Sequence, residues 1–444
     1  MSKQVNLTSG PIMPQLLRLC MPLLAANVLQ QIYNIINSLV VTHYLGENAF
    51  AALGVAESIM NLFIYVITGA CMGASVLVAQ FYGEGNMPRL RRQLFVSAAL
   101  IGGCTLGAVT LGQIFLPRIL GLIKTPGELM GDATAYLRVI LVGMVFTFTY
   151  NYLASSLRAV GDTKTALYFL LISLGYNLVC AWVLVAVFEL GITGTAIATA
   201  TAQMLSSGLC FAYIRKKRPY LTIHKADMKM DRVLAGRTVG FAAVAALQQS
   251  SLYLGKLMIQ GAVNGLGTAS ISAFTAVTRV ENFIQAFGLS GCEATSIFVA
   301  QNKGAGQFKR GLEGFVRGGV VQVSVGFVFT ALMLTAPELL LSPFLSGEGE
   351  SLTHGVSYLH WIGGFYFLSF IGNHFVGWFR GTGRMNITFW GTTIQVAIRV
   401  VLSYLLVGRM GLGCVGLATG IGWIVIVCYQ ICVFMLERKG IWPK

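Results

Sequence analysis

Seven ionisable side chains within the apolar runs of this sequence are its first candidates for chemistry. They are Glu57, Lys256, Arg279, Glu281, Glu293, His374 and Arg399. A charge at the middle of a membrane costs at least about 2.5–3.5 kcal/mol, so each of them needs an explanation. A buried carboxylic acid can bind and release a proton in the physiological range, because burial penalises its charged form. We therefore expect Glu281, near the middle of its run, to bind a coupling ion.

Alternatives stay open for the two carboxylates of this run. Glu281 can instead form a static ion pair with a cation on another run or on its own. The cations available for such a pair are Arg279, Lys256 and Arg399. Glu293 follows about three helical turns and about 18 Å further along, so the two carboxylates cannot share one ion directly. Glu293 is either a second ion site on the same path or a residue near the lipid headgroups.

For three other ionisable residues, more than one interpretation also stays open. Lys256 can neutralise a carboxylate, repel a cation or titrate itself, or it can extend its ammonium to the membrane surface. Glu57 lies near the outer end of its run, where it either attracts cations or sits at the interface. His374 has an ordinary pKa near physiological pH and is a candidate for ion coupling, although a lone histidine in such a run is more often a hydrogen-bonding core residue.

The composition requires lipid as the solvent for most of the chain. The chain is 55% hydrophobic and 11% charged, with a mean hydropathy of +0.72, whereas soluble domains carry about 25% charged residues. Its net charge of +15 comes from residues that lie between apolar runs, which indicates membrane anchoring and argues against nucleic acid as a partner. The nine cysteines show no metal spacing, so we expect no metal site.

Twelve apolar runs are long enough to cross a membrane, which takes about 20 residues in a helix. They cover residues 14–42, 51–80, 93–117, 131–155, 165–188, 192–214, 235–262, 269–299, 314–336, 353–379, 387–408 and 414–436. Lys and Arg are concentrated in alternate loops, which places both termini in the cytoplasm. The sequence therefore predicts an all-α, multi-pass protein of the plasma membrane, here a bacterial inner membrane.

Two halves of the chain repeat one another. Residues 78–85 (VAQFYGEG) recur as 299–306 (VAQNKGAG), and 157–161 (LRAVG) recur as 379–383 (FRGTG). We interpret their glycines as helix ends, since no GxxxxGK[ST] motif for a nucleotide is present. Six spans per copy give two six-helix bundles related by a parallel pseudo-twofold axis. The predicted bundles are residues 1–214 and 234–444, joined by a cytoplasmic linker at 215–233.

In these phrases the chain resembles the MATE (multidrug and toxic compound extrusion) family of transporters. The phrases that carry the resemblance are 9–12 (SGPI), 31–34 (QIYN), 156–163 (SLRAVGDT), 279–281 (RVE) and the two Ala-Gln-x-x-Gly-x-Gly loops. The resemblance implies a V-shaped pair of bundles that exports organic, often cationic, amphiphiles. It implies exchange for protons or sodium ions and alternating access by rocking, with no other cofactor.

The chain departs from the family at its usual acidic positions. In the proton-coupled branch acids stand at the positions matching Asn37 and Ala181, and an associated asparagine matches Asn177. In the sodium-coupled branch the acids fall near Ser250 and Ser369. Since none of these four positions is acidic here, the second half, around Glu281, becomes the better place for ion coupling. Asn37 and Asn177 stay candidates through hydrogen bonding.

A substrate cleft needs aromatic and polar lining for flat amphiphiles. The candidates for this lining are Glu57, Tyr33, Gln31, Gln249, Tyr253, Arg279 and Asn282. We expect a monomer that binds small organic substrates and membrane lipid, and no catalytic residue.

Two rival functions follow from the same residues. A lipid-linked oligosaccharide flippase would need a broadly cationic cleft, to which Lys256, Arg279 and Arg399 would contribute. An integral membrane enzyme would need clustered catalytic groups, whereas the five histidines are dispersed.

Overall fold

The computed structural model describes residues 7–122, 125–345 and 349–439, with the backbone alone at residues 35, 37–52 and 55. These ranges are almost entirely helical and contain no strand. The helices are α1 (Ile12–Glu84), α2 (Met87–Leu122), α3 (Gly127–Ala159), α4 (Thr163–Trp182), α5 (Gly191–Lys217), α6 (Arg232–Asn264), α7 (Thr268–Gly304), α8 (Phe308–Thr335), α9 (Pro337–Leu341), α10 (Glu350–Gly363), α11 (Tyr366–Gly381), α12 (Met385–Met410) and α13 (Gly413–Arg438). A π-helical turn at Val183–Val187 extends α4.

Ten stretches of the described helices are long and apolar enough to cross a membrane, and each coincides with a predicted span. The predicted seventh span corresponds to α6, where four consecutive polar residues (QQSS, 248–251) lower the hydropathy. The predicted tenth span is broken into α10 and α11 by a turn at residues 364–365, so neither piece has the length of a span. The predicted tenth span, 353–379, is therefore built of two shorter helices.

The first two predicted spans lie in one helix. The sequence predicts a loop between 42 and 51, whereas the backbone of α1 is helical from Ile12 to Glu84. The intervening stretch holds one glycine and no proline, and a single glycine weakens a helix by only about 1 kcal/mol. Two spans lie within α1, at Ile12–Asn34 and Ala56–Glu84.

The chain forms two compact units. Unit 1 comprises Met1–Thr8, Ala25–Gln249 and Gly304–Gly306, and unit 2 comprises Ser9–Leu24, Ser250–Lys303 and Gln307–Lys444. The predicted bundle bounds, drawn from the sequence repeat, stay a prediction.

The repeated glycines adopt the same backbone conformation in both copies. The equivalent pairs, with their φ angles in degrees, are Gly85 (75) and Gly306 (73), Gly161 (86) and Gly383 (83), and Gly191 (56) and Gly411 (58). Positive φ favours glycine, which lacks a Cβ. The first of these glycines follows the end of α1 directly. The interpretation of these loops as helix ends is thereby confirmed.

Unit 1 is held together by close helix contacts. A Cβ placed on Gly69 would lie 2.7 Å from the carbonyl oxygen of Ala245, and one placed on Gly73 would overlap the carbonyl oxygen of Phe241. The helices α1 and α6 therefore touch backbone to backbone, as small residues allow in membrane proteins. Between α2 and α3, the hydroxyl of Tyr152 donates to the carbonyl oxygen of Leu94 at 2.6 Å.

The polar segment between α5 and α6 is bound to the helices of unit 1 by ion pairs. Arg91 of α2 meets Asp227 at 3.1 Å. Arg218, directly after α5, donates to Asp162 at the start of α4 at 2.7 and 3.0 Å. The hydroxyl of Tyr213 donates to the same carboxylate at 2.9 Å.

These contacts predict a pH-dependent contribution of Asp162 to stability. Burial would raise the pKa of Asp162, but hydrogen bonds from Thr165, Arg218 and Tyr213 outweigh it, and the folded pKa is lowered. The stabilisation is therefore complete above the unfolded pKa of about 3.9 and is lost as pH falls through the folded value. Asp162→Asn should cost about 1–2 kcal/mol at pH 7.

Thermal unfolding of purified protein between pH 7 and about pH 3 checks this prediction. The exposed acid Asp132, replaced by asparagine, serves as the matched control in the same unit. Equal melting temperatures for Asp162→Asn and the parent at neutral pH would contradict it.

Unit 2 has a buried apolar core that lies beside polar groups of α7. Its fully buried side chains include Val277 of α7, Tyr358 and Ile362 of α10, and Val415 of α13. A Cβ placed on Gly416 of α13 would lie 3.1 Å from the backbone nitrogen of Ile362. The short helix α10 is thus fixed against α13, and it presents Tyr358 to α7.

Candidate functional site

A carboxylate lies at the centre of a polar cluster in unit 2. Glu281 of α7 accepts a hydrogen bond from the Tyr358 hydroxyl at 3.4 Å, and its backbone carbonyl accepts one from the Tyr366 hydroxyl at 3.4 Å. Arg399 and Lys256 both interact electrostatically with the carboxylate. The structure therefore brings together, as the sequence suggested, Glu281 and two of its three candidate cations.

The two cations are held beside the carboxylate by one helix contact. A Cβ placed on Gly255 of α6 would overlap the side chain of Val396 on α12, so the helices touch there. Lys256 follows Gly255 directly, and Arg399 lies one turn beyond Val396. In the described ranges neither cation reaches ion-pair distance of Glu281, and the ammonium of Lys256 donates instead to Asn282 at 3.5 Å. Glu281 is thus not fixed in a contact ion pair.

The polar face of α7 continues one turn beyond Glu281. The amide of Gln285 donates to the hydroxyl of Ser369 at 2.7 Å, and Asn373 donates to the amide oxygen of Gln285 at 3.2 Å. Ser369 is one of the positions at which the family resemblance places an acid. Gln285 and Asn373 were not among the predicted residues. The spacing of Gln285 four residues after Glu281 on one helix face was the available signal.

Unit 1 contains a second polar cluster built from aromatic hydroxyls. The hydroxyl of Tyr33 donates to the side-chain oxygen of Asn177, whose amide donates to Thr199 at 3.3 Å. Glu57 and Tyr33 both interact electrostatically with Tyr136. In the part of unit 1 that the structure describes, no cationic side chain interacts with Glu57. This cluster therefore holds one acid, Glu57, with Tyr136 beside it.

The two clusters occupy equivalent positions in the repeat. Alignment of the copies on their shared phrases yields three equivalent pairs. They are Met60 and Glu281, Tyr136 and Tyr358, and Asn177 and Arg399. In both units the tyrosine hydroxyl donates to the first member of the pair, at 3.9 Å to Met60 Sδ and at 3.4 Å to Glu281 Oε2. Duplication preserved the tyrosine, while a thioether and an amide in one copy stand opposite a carboxylate and a guanidinium in the other.

The other predicted ion-coupling residues of unit 2, His374 and Glu293, lie apart from the Glu281 cluster. His374 is buried, stacks on Phe315 with ring centroids 4.5 Å apart, and shares a hydrogen bond of 2.6 Å with the Phe315 carbonyl. Glu293 lies near Cys20 and Cys292 in the same unit. Their role in ion coupling stays a prediction.

Three other predicted lining residues lie outside these polar contacts. Gln31, Gln249 and Arg279 are partly accessible, and no contact among the described residues joins them to either cluster. Tyr253 is buried in unit 2. The side chain of Asn37 lies outside the described residues.

Comparison with known proteins matches both halves of the chain to one family. The model of the MatE family matches twice, over residues 22–183 and 245–405. The chain is 28% identical to the probable multidrug resistance protein YpnP of Bacillus subtilis, over 99% of this chain and 98% of the relative. It is 31% identical to the probable multidrug resistance protein YoeA of the same organism, over 74% of this chain and 73% of the relative.

Solved structures show the same fold. An outward-facing multidrug resistance MATE family transporter of the MOP superfamily superposes with a TM-score of 0.89 at 21% identity, covering 99% of this chain and 98% of that one. A MOP superfamily transporter from Pyrococcus furiosus, described as having a binding pocket of reverse polarity, superposes with a TM-score of 0.88 at 20% identity and the same coverage.

Proposed function

The chain belongs to the MatE family of membrane transporters, and from this premise we propose that it exports amphiphilic, cationic organic compounds in exchange for protons or sodium ions. The observation that carries the proposal is the Glu281 cluster of unit 2. Antiport needs a group that binds an ion in one state and releases it in another. Glu281 is partly accessible and is not fixed in a contact ion pair, so it can exchange an ion.

The repeat supports this assignment of roles. Both copies have the same scaffold, but the hydroxyl of Tyr136 donates to Met60 in the first copy, whereas that of Tyr358 donates to the carboxylate of Glu281 in the second. We assign ion coupling to unit 2 for this reason. Alternating access by rocking, as the family resemblance implies, would connect ion binding to substrate release.

The cationic substrate fits the cluster in unit 1. Glu57 supplies a negative charge without a competing cation, and Tyr33 and Tyr136 supply aromatic faces. A ligand cation over an aromatic face gains about 0.5–1 kcal/mol at an exposed site and about 2 kcal/mol or more when desolvated. That two relatives are named as multidrug resistance proteins supports a broad substrate range. In this proposal the protein acts as a monomer in the bacterial inner membrane, with no cofactor besides the coupling ion.

The experiment that tests this function is ethidium transport by purified protein in proteoliposomes. A proton gradient and a sodium gradient are imposed separately, and transport is compared with that of protein-free vesicles. Ethidium movement against its own gradient under at least one ion gradient is expected. Movement under neither gradient would contradict the proposal.

The flippase alternative draws on the two cations of unit 2. Lys256 and Arg399 together outnumber the single carboxylate Glu281. Transfer of a lipid-linked oligosaccharide across vesicles, with no ion-driven ethidium transport, would favour this alternative. An enzymatic function has no comparable support, because the family consists of transporters.

The predicted orientation of the chain in the membrane can be tested separately. The basic loops place the segment after α5 in the cytoplasm. A single cysteine substituted for Lys216, in a variant without the native cysteines, should therefore resist a membrane-impermeant maleimide in intact cells and react after lysis. A cysteine substituted for Glu189, in the loop at the opposite end of α5, is the matched control and should react in intact cells. The reverse pattern would refute the orientation.

A further inference from the structure

The charges of unit 2 do not balance around Glu281. With all three groups ionised, Lys256 and Arg399 contribute two positive charges and Glu281 one negative charge, which is a formal net charge of +1 in the cluster. Lys256 also experiences the charge of Arg399 directly. An uncompensated charge inside a membrane protein is costly and marks a functional site by default.

We propose that Lys256 and Arg399 form a binding site for the anionic group of an amphiphile, a carboxylate, sulfonate or phosphate, and that the Glu281 carboxylate competes with this group for the two cations. The site goes beyond the proposed function, whose cationic substrate is assigned to unit 1. An anion at this place would neutralise the cluster and relieve the repulsion between the two cations.

Both cations have unused hydrogen-bonding capacity. The ammonium of Lys256 has three donors and is exposed, yet its contact with Asn282 is long, at 3.5 Å. The Nε atom of Arg399 is buried and, in the described part of the chain, has no hydrogen-bond partner. A carboxylate, sulfonate or phosphate oxygen satisfies such donors well, since charge-assisted hydrogen bonds are the strong ones.

Because Glu281 competes for the two cations, the affinity of the site for an external anion should change with pH in one direction. Protonation of Glu281 removes the internal anion and leaves a net charge of +2 on the two cations. The affinity for an external anion should therefore rise as the pH falls. The charged or titratable groups that interact with Glu281, among the described residues, are Arg399 of α12, Lys256 of α6, Tyr358 of α10 and Tyr366 of α11.

The test measures binding of naphthalene-1-sulfonate to the full-length protein in phosphatidylcholine nanodiscs by titration calorimetry. We expect saturable binding that becomes tighter as the pH is lowered. Lys256→Gln should weaken binding about tenfold, whereas Lys256→Arg, which keeps the charge, should retain it. Glu281→Gln should bind tightly at every pH, because it lacks the competing charge. Lys309→Gln removes an exposed cation of the same unit and should bind like the parent protein.

The proposal is overturned if Lys256→Gln and Arg399→Gln both bind as the parent does. It is also overturned if binding by the parent protein does not become tighter at lower pH. This outcome can be measured even if no variant folds. Repeating the titration in nanodiscs that contain phosphatidylglycerol distinguishes the source of the anion. Competition by that lipid identifies a lipid headgroup as the occupant, and undiminished binding identifies a free amphiphile. Ethidium transport is measured separately, so failure of the anion site leaves the proposed export function standing.

Discussion

Replacement of Glu281 by glutamine is expected to reduce ion-driven ethidium transport to the level of protein-free vesicles. Glutamine keeps the size and the hydrogen bond from Tyr358 but can neither release a proton nor neutralise a sodium ion. Since Glu281 is the one carboxylate in its cluster, no neighbouring group in the described part of unit 2 replaces it. The measurement is transport in proteoliposomes under separate proton and sodium gradients.

Glu313→Gln is the matched control for this variant. Glu313 is an exposed acid of unit 2 that pairs with Arg317 one turn along α8. Surface pairs of this kind contribute about 0–1 kcal/mol, so transport by Glu313→Gln should equal that of the parent. Undiminished transport by Glu281→Gln, with both proteins equally folded, would remove Glu281 from the mechanism.

Replacement of Gly73 by valine is expected to abolish the yield of folded protein. A Cβ at this position would overlap the carbonyl oxygen of Phe241, and backbone cannot rotate away as a side chain can. Overpacking costs about 1–3 kcal/mol where side chains adjust, and a clash between two helix backbones lies at or above that range. Size-exclusion chromatography of the detergent-solubilised protein measures the outcome.

Gly107→Val provides the control, since a Cβ on Gly107 of α2 meets no atom within 4 Å. Both substitutions place the same β-branched residue inside a helix, so the intrinsic helix propensity is equal. A monodisperse peak of normal height for Gly73→Val would show that α1 and α6 do not touch at this point.

Ten of the twelve predicted spans coincide with described helices that are long and apolar enough to cross a membrane, because length and hydropathy decide which helices a membrane accepts. Length and hydropathy do not show where a helix breaks or meets another helix. The α10–α11 turn lies beside α13, where Phe365 packs on Gly420, and no local sequence pattern records that contact. Likewise α6, which has four polar residues in a row, packs against α1 at Phe241 and Ala245 and against α12 at Gly255.

The sequence predicted the charged residues of the site but not the tyrosines that contact Glu281. Glu281 and Lys256 stood out because each breaks an apolar run. Tyr358 and Tyr366 are ordinary aromatic residues of another predicted span, and only the fold brings them to α7. The sequence repeat also relates residues that lie outside the shared phrases. Alignment of the copies on those phrases places Arg399 opposite Asn177, both within polar clusters.

The most direct test of Glu281 as the coupling group separates exchange from coupled transport in the same vesicles. Ethidium–ethidium exchange and ethidium-driven counterflow of protons or sodium ions are measured for the parent protein and for Glu281→Gln. We predict that the variant retains exchange, since its substrate cluster in unit 1 is intact, and loses all ion counterflow. Ion counterflow by Glu281→Gln at the rate of the parent would contradict the assignment of coupling to unit 2.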